Sequence, residues 1–349
     1  NLTAHQTGQR RPCQHAQNDH DNEDTHILAQ GHLAHDGAQD HGEGQERQAA
    51  DDFRVVYTPF HGCGYKLVPE ALTRLGIKHL YCEPKQMVID GDFPTVVSPN
   101  PENPEGFYLA IDLAREKNVD FILGTDPDSD RVGIMVRNKS GEFEPVTGNQ
   151  TGVLLLDYLI GAMKRAGKLP EKPAALKTIV TTEMARAVAE ANGLDCYDTF
   201  TGFKFMAEKM NELESAGKNT VIFSYEESYG YMIGHYVRDK DAVTASLLIT
   251  EMAGWYAAQG MTLYDALQAL YVKYGWYGEK THNLVMPGVD GLEKMAALIC
   301  SNIIPTTATL NCIQTRIGTK SIGVRMEIQY SPQTYRVIGL FAVVMSISI

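Results

Sequence analysis

The sequence feature that most constrains this chain is a short stretch, GTDPDSDR at residues 124–131, in which aspartates occupy alternate positions. It directly follows the mostly apolar run 119–123, which has the length and composition of a buried β-strand. Ionised carboxylates crowded onto one loop repel each other unless a cation neutralises them, and ligation by carboxylate oxygens alone is typical of Mg²⁺ or Mn²⁺. The stretch therefore predicts that a strand delivers three metal ligands, Asp126, Asp128 and Asp130.

Other uses of these aspartates compete with a Mg²⁺ site. An EF-hand counted from Asp126 needs Gly at its sixth position and Glu at its twelfth, but the chain has Arg131 and Arg137 there, so an EF-hand is excluded. A phosphatase that attacks with Asp126 and uses Asp128 as acid stays open, although it leaves Asp130 and Arg131 without a role. A solvated acidic turn is the simplest alternative, but such a turn does not need a buried strand leading into it.

The aspartate stretch also resembles a known family. GTDPDSDRVGIMV from Gly124 is similar to the metal loop of the α-D-phosphohexomutases, most closely the bacterial branch of phosphoglucomutases and phosphomannomutases. Three further motifs agree with that family in the same order: YTPFHGCGYKLV from Tyr57, TFTGFKFMAEKM from Thr199 and SYEESYGYMIGHYVRDKD from Ser224. The resemblance extends from about residue 53 to about residue 295, and four ordered motifs make it specific.

Composition restricts the class of protein further. A chain of 349 residues is long enough for two or three domains with ample cores. Its formal net charge of -12 argues against nucleic acid as a partner. The six cysteines lack CxxC pairs, which predicts reduced thiols and a cytoplasmic location. We expect no signal peptide and no membrane partner, because no run is long enough to cross a bilayer.

Both ends of the chain differ in composition from the middle. Residues 1–52 hold seven of the eleven histidines, ten acidic residues and no Val, Phe, Tyr, Trp, Met, Lys or Ser. Such a segment buries too little apolar surface to offset its ordering entropy, so we expect it to be disordered or non-native sequence from a misread or shifted frame. Residues 299–349 carry one acidic residue, Glu327, and lie outside the resemblance. Their final apolar run, 338–349, predicts a strand or an aggregation-prone tail.

From residue 53 onward, strand and helix patterns alternate, which indicates parallel βαβ units. In a first domain, 53–168, they predict strands at 53–57, 79–83, 119–123, 132–136 and 143–146, with helices at 66–75, 104–117 and 149–166. A linker at 169–173 precedes a second domain, 175–298, with strands at 177–181 and 220–224 and helices at 183–192, 202–213, 241–258 and 262–274. The expected fold is two successive α/β domains, each a mixed, mostly parallel sheet flanked by helices.

Two motifs have the composition of phosphate or sugar sites. The glycines of loop 58–64 permit close approach of the backbone, and His61 within it is a candidate to reach a phosphate or sugar oxygen, with a histidine bonded to its own loop as the alternative. Thr201 and Gly202 precede a predicted helix whose first amides could hold a phosphate, with Lys204 nearby as a point charge. The proline-rich run 98–104 is interpreted only as a rigid loop.

The last motif supplies the remaining candidate residues. Loop 225–230 brings carboxylates, a hydroxyl and a glycine to one turn, a mixture that suits adjacent sugar hydroxyls. In the similar family loop, Glu-x-Ser binds two ring hydroxyls, so the resemblance implies Glu226 and Ser228 as sugar ligands. The family's Arg-x-Lys-Asp run implies Lys240 as the residue that moves a proton at the substrate hydroxyl, a role for which we expect a lowered pKa. Arg131 is expected to act beside the metal.

The resemblance implies a mutase that interconverts hexose 1-phosphate and hexose 6-phosphate through a bisphosphate, with Mg²⁺ as cofactor and hexose 1,6-bisphosphate as activator. The family's first domain supplies a phosphoserine, but the first serine here is Ser98, and the phosphate loop of the last domain is not recognisable either. We therefore expect the two middle domains only and negligible turnover by this chain alone. A metal-dependent sugar phosphatase and a non-catalytic fragment that binds sugar phosphate are the alternatives.

Overall fold

The structure is a computed structural model that describes residues 52–234, 237–285, 309–311, 321–328 and 339–346, and from residue 279 onward only the course of the backbone. The expectation that residues 1–52 are disordered or non-native therefore lies outside the described residues, except for Asp52. No helix in the described ranges is long and apolar enough to cross a lipid bilayer.

The first predicted domain contains a five-stranded sheet. Its strands are β1 Arg54–Thr58, β2 His79–Cys82, β3 Phe121–Thr125, β4 Val132–Arg137 and β5 Phe143–Val146. They lie in the order β2-β1-β3-β4-β5, with β1 parallel to β2 and β3 and with β4 antiparallel to β3 and β5. Helix α1 is Gly64–Leu75, and the 3₁₀ turn Pro104–Phe107 leads into α2, Tyr108–Lys117. Helix α1 ends where Gly76 adopts a φ of 102°, a left-handed conformation that glycine tolerates.

The second predicted domain repeats this arrangement with four strands. They are β6 Pro173–Thr178, β7 Asp195–Thr199, β8 Thr220–Tyr225 and β9 Tyr231–Ile233, in the order β7-β6-β8-β9. The surrounding helices are α3 Gly148–Arg165, α4 Met184–Ala191, α5 Phe203–Ser215, α6 Ala242–Ala258 and α7 Leu263–Tyr274. The predicted mixed α/β sheets flanked by helices are confirmed.

The two sheets share one topology. In each, a central strand is parallel to both neighbours, and the last of the parallel strands turns back through a short loop into an antiparallel strand. Residues 126–131, here named the Asp loop, connect β3 to β4, and residues 226–230, here named the Glu loop, connect β8 to β9. Both loops therefore leave the carboxyl end of a parallel strand, which is where ligands bind in α/β sheets.

Each sheet has its own apolar core. Ile122 and Val56 of the first sheet pack with Phe60, Phe107 and Met135. The core of the second sheet is formed by residues that are at most a few per cent exposed, and it includes Leu176, Phe203, Met206, Met210, Leu213, Val221 and Met232. The apolar periodicity used in the sequence analysis therefore identified the buried faces of these elements correctly.

Three strands of the second sheet differ from the sequence prediction. Strand β6 occupies 173–178 rather than 177–181, so it begins inside the predicted linker, and β7 and β9 were not predicted. Lys177 explains part of the error, because a lysine in the sequence pattern indicates the end of a strand. In the structure Lys177 lies within β6 and is fully buried, since Glu183 and Asp198 neutralise its charge. β7 is a short edge strand, and its sequence, DCYDT, lacks an apolar stripe.

Helix α3 lies between the two sheets in sequence and packs on the helices of the second. It contacts α4, α6 and α7. Its capping box joins Thr147 to Gln150, and the ring of Tyr225 from β8 lies against Gly152. The helix predicted to close the first domain therefore also forms part of the packing around the second sheet.

A third sheet lies towards the end of the chain. Its strands are β10 Gly278–Val285, β11 Thr309–Asn311, β12 Ser321–Ile328 and β13 Gly339–Ser346, in the order β10-β13-β12-β11. β13 confirms that the final apolar run forms a strand. Other residues of the segment 299–349 lie outside the described part of the chain.

A half-buried carboxyl lies where α6 packs on α3. The hydroxyl of Tyr158 donates to Glu251 Oε1 at 2.7 Å. Burial raises the pKa of Glu251 from 4.5 to about 7, although the hydrogen bond from Tyr158 opposes the shift. A carboxyl whose pKa is higher in the folded state stabilises the fold fully below its unfolded pKa, and that contribution is lost as the pH rises through the folded value.

We predict that the Glu251→Gln variant, which mimics the protonated carboxyl, has nearly the stability of the wild type at pH 4.5. Its advantage in unfolding free energy should grow as the pH rises to about 7 and level off at about 1–3 kcal/mol. Urea denaturation between pH 4.5 and 8 measures the difference, with the exposed Glu208→Gln as control. A difference between variant and wild type that does not change with pH contradicts the prediction.

Candidate active site

The Asp loop is folded around the carboxylate of Asp126. Its Oδ1 accepts hydrogen bonds from the backbone amides of Asp130 at 3.0 Å and Arg131 at 2.9 Å. Ser129 bends the loop with a φ of 58°. As a result, Asp126, Asp128 and Asp130 each offer an oxygen within 4.8 Å of the others. The sequence predicted this cluster correctly, because alternate positions on a loop that leaves a strand turn towards one another.

The electrostatics of the Asp loop suit a cation. Burial first, and then the neighbouring Asp130 and Asp128, raise the pKa of Asp126 to about 7, against the hydrogen bond from the Arg131 amide. The three clustered carboxylates form an oxygen-only donor set, which fits a hard divalent cation such as Mg²⁺. These three side chains are the residues that would hold it.

Lys240 is the nearest cation to this cluster. Its Nζ lies 2.7 Å from Asp130 Oδ2, so a residue from the start of α6 reaches across to the Asp loop. Burial alone would lower the pKa of Lys240, but the hydrogen bond and charge of Asp130 outweigh burial and raise it. The expectation of a lowered pKa is therefore wrong for this arrangement, because the sequence did not reveal that Asp130 faces the ammonium group.

The loop between β1 and α1 packs directly against the backbone of the Asp loop. A Cβ on Gly62 would lie 2.3 Å from Pro127 Cα, and the amide of Cys63 donates to Pro127 O at 2.8 Å. Only a residue without a side chain allows the two backbones to approach so closely. The sequence analysis expected glycine to permit close approach of the backbone in this loop. This expectation is confirmed at Gly62, where the neighbouring backbone is that of the Asp loop.

His61 points away from the aspartates. It is buried, its Nδ1 lies 2.8 Å from Val88 O, and its Nε2 lies 2.8 Å from Thr95 Oγ1. Both ring nitrogens are therefore engaged by the segment that follows β2. The alternative named in the sequence analysis was a histidine bonded to its own loop, but the side-chain partners of His61 belong to the segment that contains Val88 and Thr95, and these contacts do not bring His61 into the cluster.

The Glu loop has its own anchor on α5. The amide of Gly202 donates to Glu226 Oε1 at 2.6 Å, so the carboxylate occupies the helix N-terminus that the sequence analysis assigned to a phosphate. Gly202 has a φ of 116°, which a side chain would strain. Burial raises the pKa of Glu226, although the Gly202 amide stabilises the charged form. The second carboxylate oxygen, Oε2, is not used in this bond.

Two other predicted ligands lie beside Gly202. Thr201 is the preceding residue and is half-buried. Lys204 is exposed on the first turn of α5, with its Nζ 4.8 Å from the centre of the Phe205 ring. Among the described contacts, neither residue touches Glu226, Ser228 or the Asp loop.

The Asp loop and the Glu loop lie side by side. Arg131 and Gly230 form an antiparallel backbone bridge, and the amide of Val132 donates to Tyr229 O at 3.2 Å. The guanidinium of Arg131 adds a bond from Nη1 to Ser228 O at 3.3 Å. The structure therefore brings Asp126, Asp128, Asp130, Arg131, Lys240, Glu226 and Ser228 into one region.

Sequence reasoning missed two carboxylates at this site. Glu102 Oε1 lies 3.2 Å from Arg131 Nη1, so the proline-rich run 98–104 is more than a rigid loop and fixes this guanidinium. Glu227 accepts hydrogen bonds from Thr178 and Thr181. Only the position of Glu227 between the two predicted sugar ligands could have drawn attention to it, whereas no local signal connects Glu102 with Arg131.

We predict that Gly62→Ala lowers the free energy of unfolding by about 1–3 kcal/mol, because the added methyl group forces Pro127 and the Asp loop away. Gly91→Ala is the matched control, since a Cβ there meets nothing within 4 Å. Urea denaturation of both variants compares the effects. Equal stabilities would show that the two loops do not pack as described.

Two family models match this chain. The model described as phosphoglucomutase/phosphomannomutase, alpha/beta/alpha domain II, matches residues 38–141, and the model for domain III of the same family matches residues 147–274. Together they cover more than half of the chain, in the order that the sequence motifs indicated. The second match begins just before α3, which therefore falls with the second sheet.

Full-length relatives are similar over the same region. The phosphoglucomutase of Staphylococcus haemolyticus is 33% identical over 248 residues, which are 71% of this chain and 44% of that protein. The phosphoglucomutase of Staphylococcus aureus strain USA300 is 34% identical, with the same coverage. The chain thus spans less than half the length of these relatives.

Solved structures share the fold. A putative phosphomannomutase from Thermus thermophilus superposes with a TM-score of 0.53 at 20% identity, covering 72% of this chain and 50% of that one. The phosphoglucomutase pp63/parafusin from Paramecium, in its open form, superposes with a TM-score of 0.55 at 17% identity, covering 88% of this chain and 52% of the other. With two family domains matched in sequence and order, this chain belongs to the phosphoglucomutase/phosphomannomutase family.

Proposed function

We propose that this chain carries the metal-binding and sugar-binding parts of a phosphoglucomutase-type enzyme that interconverts hexose 1-phosphate and hexose 6-phosphate. The observation that carries the proposal is the contact between the Asp loop and the Glu loop, made by Arg131, Gly230 and Ser228. A phosphoryl group near the aspartates would thereby lie close to a sugar near Glu226. Free thiols at Cys63 and Cys82 support a reducing, cytoplasmic setting.

The Glu loop would bind the hexose. Glu226 is held by the Gly202 amide through one oxygen, which leaves the other to accept a bond from a ring hydroxyl. Ser228, two residues further on, would bind the adjacent hydroxyl. Thr201 and Lys204, beside the N-terminus of α5, are the proposed contacts for the phosphate that is not being transferred, whereas the Gly202 amide is engaged by Glu226.

The Asp loop would serve phosphoryl transfer. Mg²⁺ held by Asp126, Asp128 and Asp130 would neutralise charge on the transferring phosphoryl group. Arg131, fixed by Glu102, would add a positive charge on the side facing the Glu loop. Lys240 is the proposed proton donor or acceptor at the substrate hydroxyl, and its ion pair with Asp130 favours the protonated, donating form. His61 would act only by holding its own loop, because both ring nitrogens are engaged.

The proposed reaction passes through hexose 1,6-bisphosphate. A phosphoserine gives its phosphoryl group to the free hydroxyl of the substrate, the bisphosphate reorients, and its other phosphoryl group returns to the serine. The two matched domains do not include the serine-bearing part of the family, so we propose that this chain alone turns over negligibly.

Calorimetric titration with glucose 1,6-bisphosphate in MgCl₂ tests the proposal. We expect Glu226→Gln to weaken binding about tenfold or more, because the charged acceptor is lost while the amide oxygen can still bond to Gly202. Glu208→Gln, an exposed change on α5, is the matched control and should leave the affinity unchanged.

Two outcomes would contradict the proposal. Equal affinities of Glu226→Gln and Glu208→Gln would remove Glu226 from the sugar site. Appreciable conversion of glucose 1-phosphate to glucose 6-phosphate by the purified chain would show that the chain does not need the serine-bearing part of the family.

A further inference from the structure

The Glu loop contains a second carboxylate, Glu227, that faces away from Glu226. Glu227 Oε2 accepts hydrogen bonds from the hydroxyls of Thr178 and Thr181, each at 3.1 Å. Glu226 instead turns to the amide of Gly202 on α5. The two glutamates therefore attach the loop to two different elements, Glu226 to the start of α5 and Glu227 to the end of β6 and the turn after it.

The two threonines form a compact donor pair. Both are fully buried, and their Oγ1 atoms lie 2.6 Å apart. They belong to the end of β6 and the turn that follows it, and β6 is the parallel neighbour of β8 in the second sheet. Buried hydroxyls need hydrogen-bond partners. The two hydroxyl protons serve three contacts, so one proton is shared between the other hydroxyl and Glu227 Oε2, and Glu227 is the acceptor for the pair.

A buried ammonium group fixes the turn that carries these hydroxyls. Lys177 Nζ donates to Thr181 O at 3.1 Å and to Thr178 O at 3.3 Å. It is fully buried and lies 2.8 Å from Glu183 Oε1 and 2.9 Å from Asp198 Oδ1. A buried charge paired on two sides resists displacement, because its removal from these partners leaves charges unpaired.

Charge explains why an anchor is needed at this position. Glu226 and Glu227 are adjacent, and after burial the charge of Glu227 contributes to the raised pKa of Glu226. In the described contacts Glu227 meets neutral hydroxyls rather than a cation, so these bonds hold its charge away from Glu226. The backbone of Glu227 also lies against α3, where a Cβ on Gly148 would be 2.0 Å from Glu227 O.

We propose that Glu227 is a positioning residue, which through Thr178 and Thr181 sets the orientation of Glu226 and Ser228 towards the sugar. The part of this inference that concerns sugar binding rests on the proposed function. The anchoring of the Glu loop itself does not depend on that function. Lys177 acts indirectly, because it fixes the turn that carries the two hydroxyls bonded to Glu227.

Thr181→Val and Thr181→Ser form a matched pair that tests the proposal. Valine keeps the shape of threonine without its hydroxyl, whereas serine keeps the hydroxyl. Amide exchange in the wild-type chain and both variants reports on the loop through the Glu226 amide, which donates to Gly230 O at 3.0 Å. The Arg137 amide, which donates to Asp120 O in the first sheet, is the control for global opening.

In Thr181→Val, we expect the Glu226 amide hydrogen to exchange about tenfold faster than in the wild type. We also expect this variant to bind glucose 1,6-bisphosphate about tenfold more weakly, because a hydrogen bond to a charged group has been lost. Thr181→Ser should match the wild type in both measurements, and exchange at Arg137 should not change. A merely structural role would accelerate both amides together and would not be rescued by serine.

Unchanged exchange at Glu226 in Thr181→Val would overturn the proposal whatever the sugar affinity. Faster exchange with unchanged affinity would also overturn it, since the loop would then be anchored without effect on the sugar. If the wild type does not bind the bisphosphate, the proposed function fails, and the exchange comparison still decides whether Glu227 anchors the loop.

Discussion

The backbone bridge between Arg131 and Gly230 is the contact on which the candidate site depends. It joins a loop of three aspartates in one domain to a loop that carries Glu226, Glu227 and Ser228 in the next. Without it, a cation on the aspartates and a sugar on Glu226 would have no fixed relation to each other. Lys240, from the segment that leads into α6, adds an ion pair with Asp130, so that charge and backbone pairing both join the Asp loop to the second domain.

The shared topology of the two sheets explains why the two loops can meet. Each is the hairpin between the last parallel strand and the antiparallel strand that follows it. Each loop also begins with an acidic residue and has a left-handed residue near its end, Ser129 in one and Tyr229 in the other. One architecture used twice thus presents carboxylates at the same position of both domains.

The sequence predicted what depends on local patterns. The first sheet, the carboxyl-end position of both loops and the aspartate cluster followed from apolar runs and turn residues. Prediction from the sequence failed where the position or charge state of a residue depends on a partner that is distant in sequence. Lys177 is buried in a strand because Glu183 and Asp198 pair with it. The raised pKa of Lys240 arises from Asp130, far away in sequence. The roles of Glu102 and Glu227 could be recognised only from the structure, which shows their partners: Arg131 for Glu102 and two threonines for Glu227.

Paramagnetic broadening by Mn²⁺ tests most directly whether the two loops form one site. With ¹⁵N-labelled chain, we expect Mn²⁺ to broaden the amide signals of Glu226 and Ser228 about as strongly as those of the Asp loop. The Thr220 amide, at the opposite end of β8, should stay sharp, and Asp128→Asn should remove the effect. Broadening confined to the Asp loop, or spread over surface carboxylates, would contradict the account.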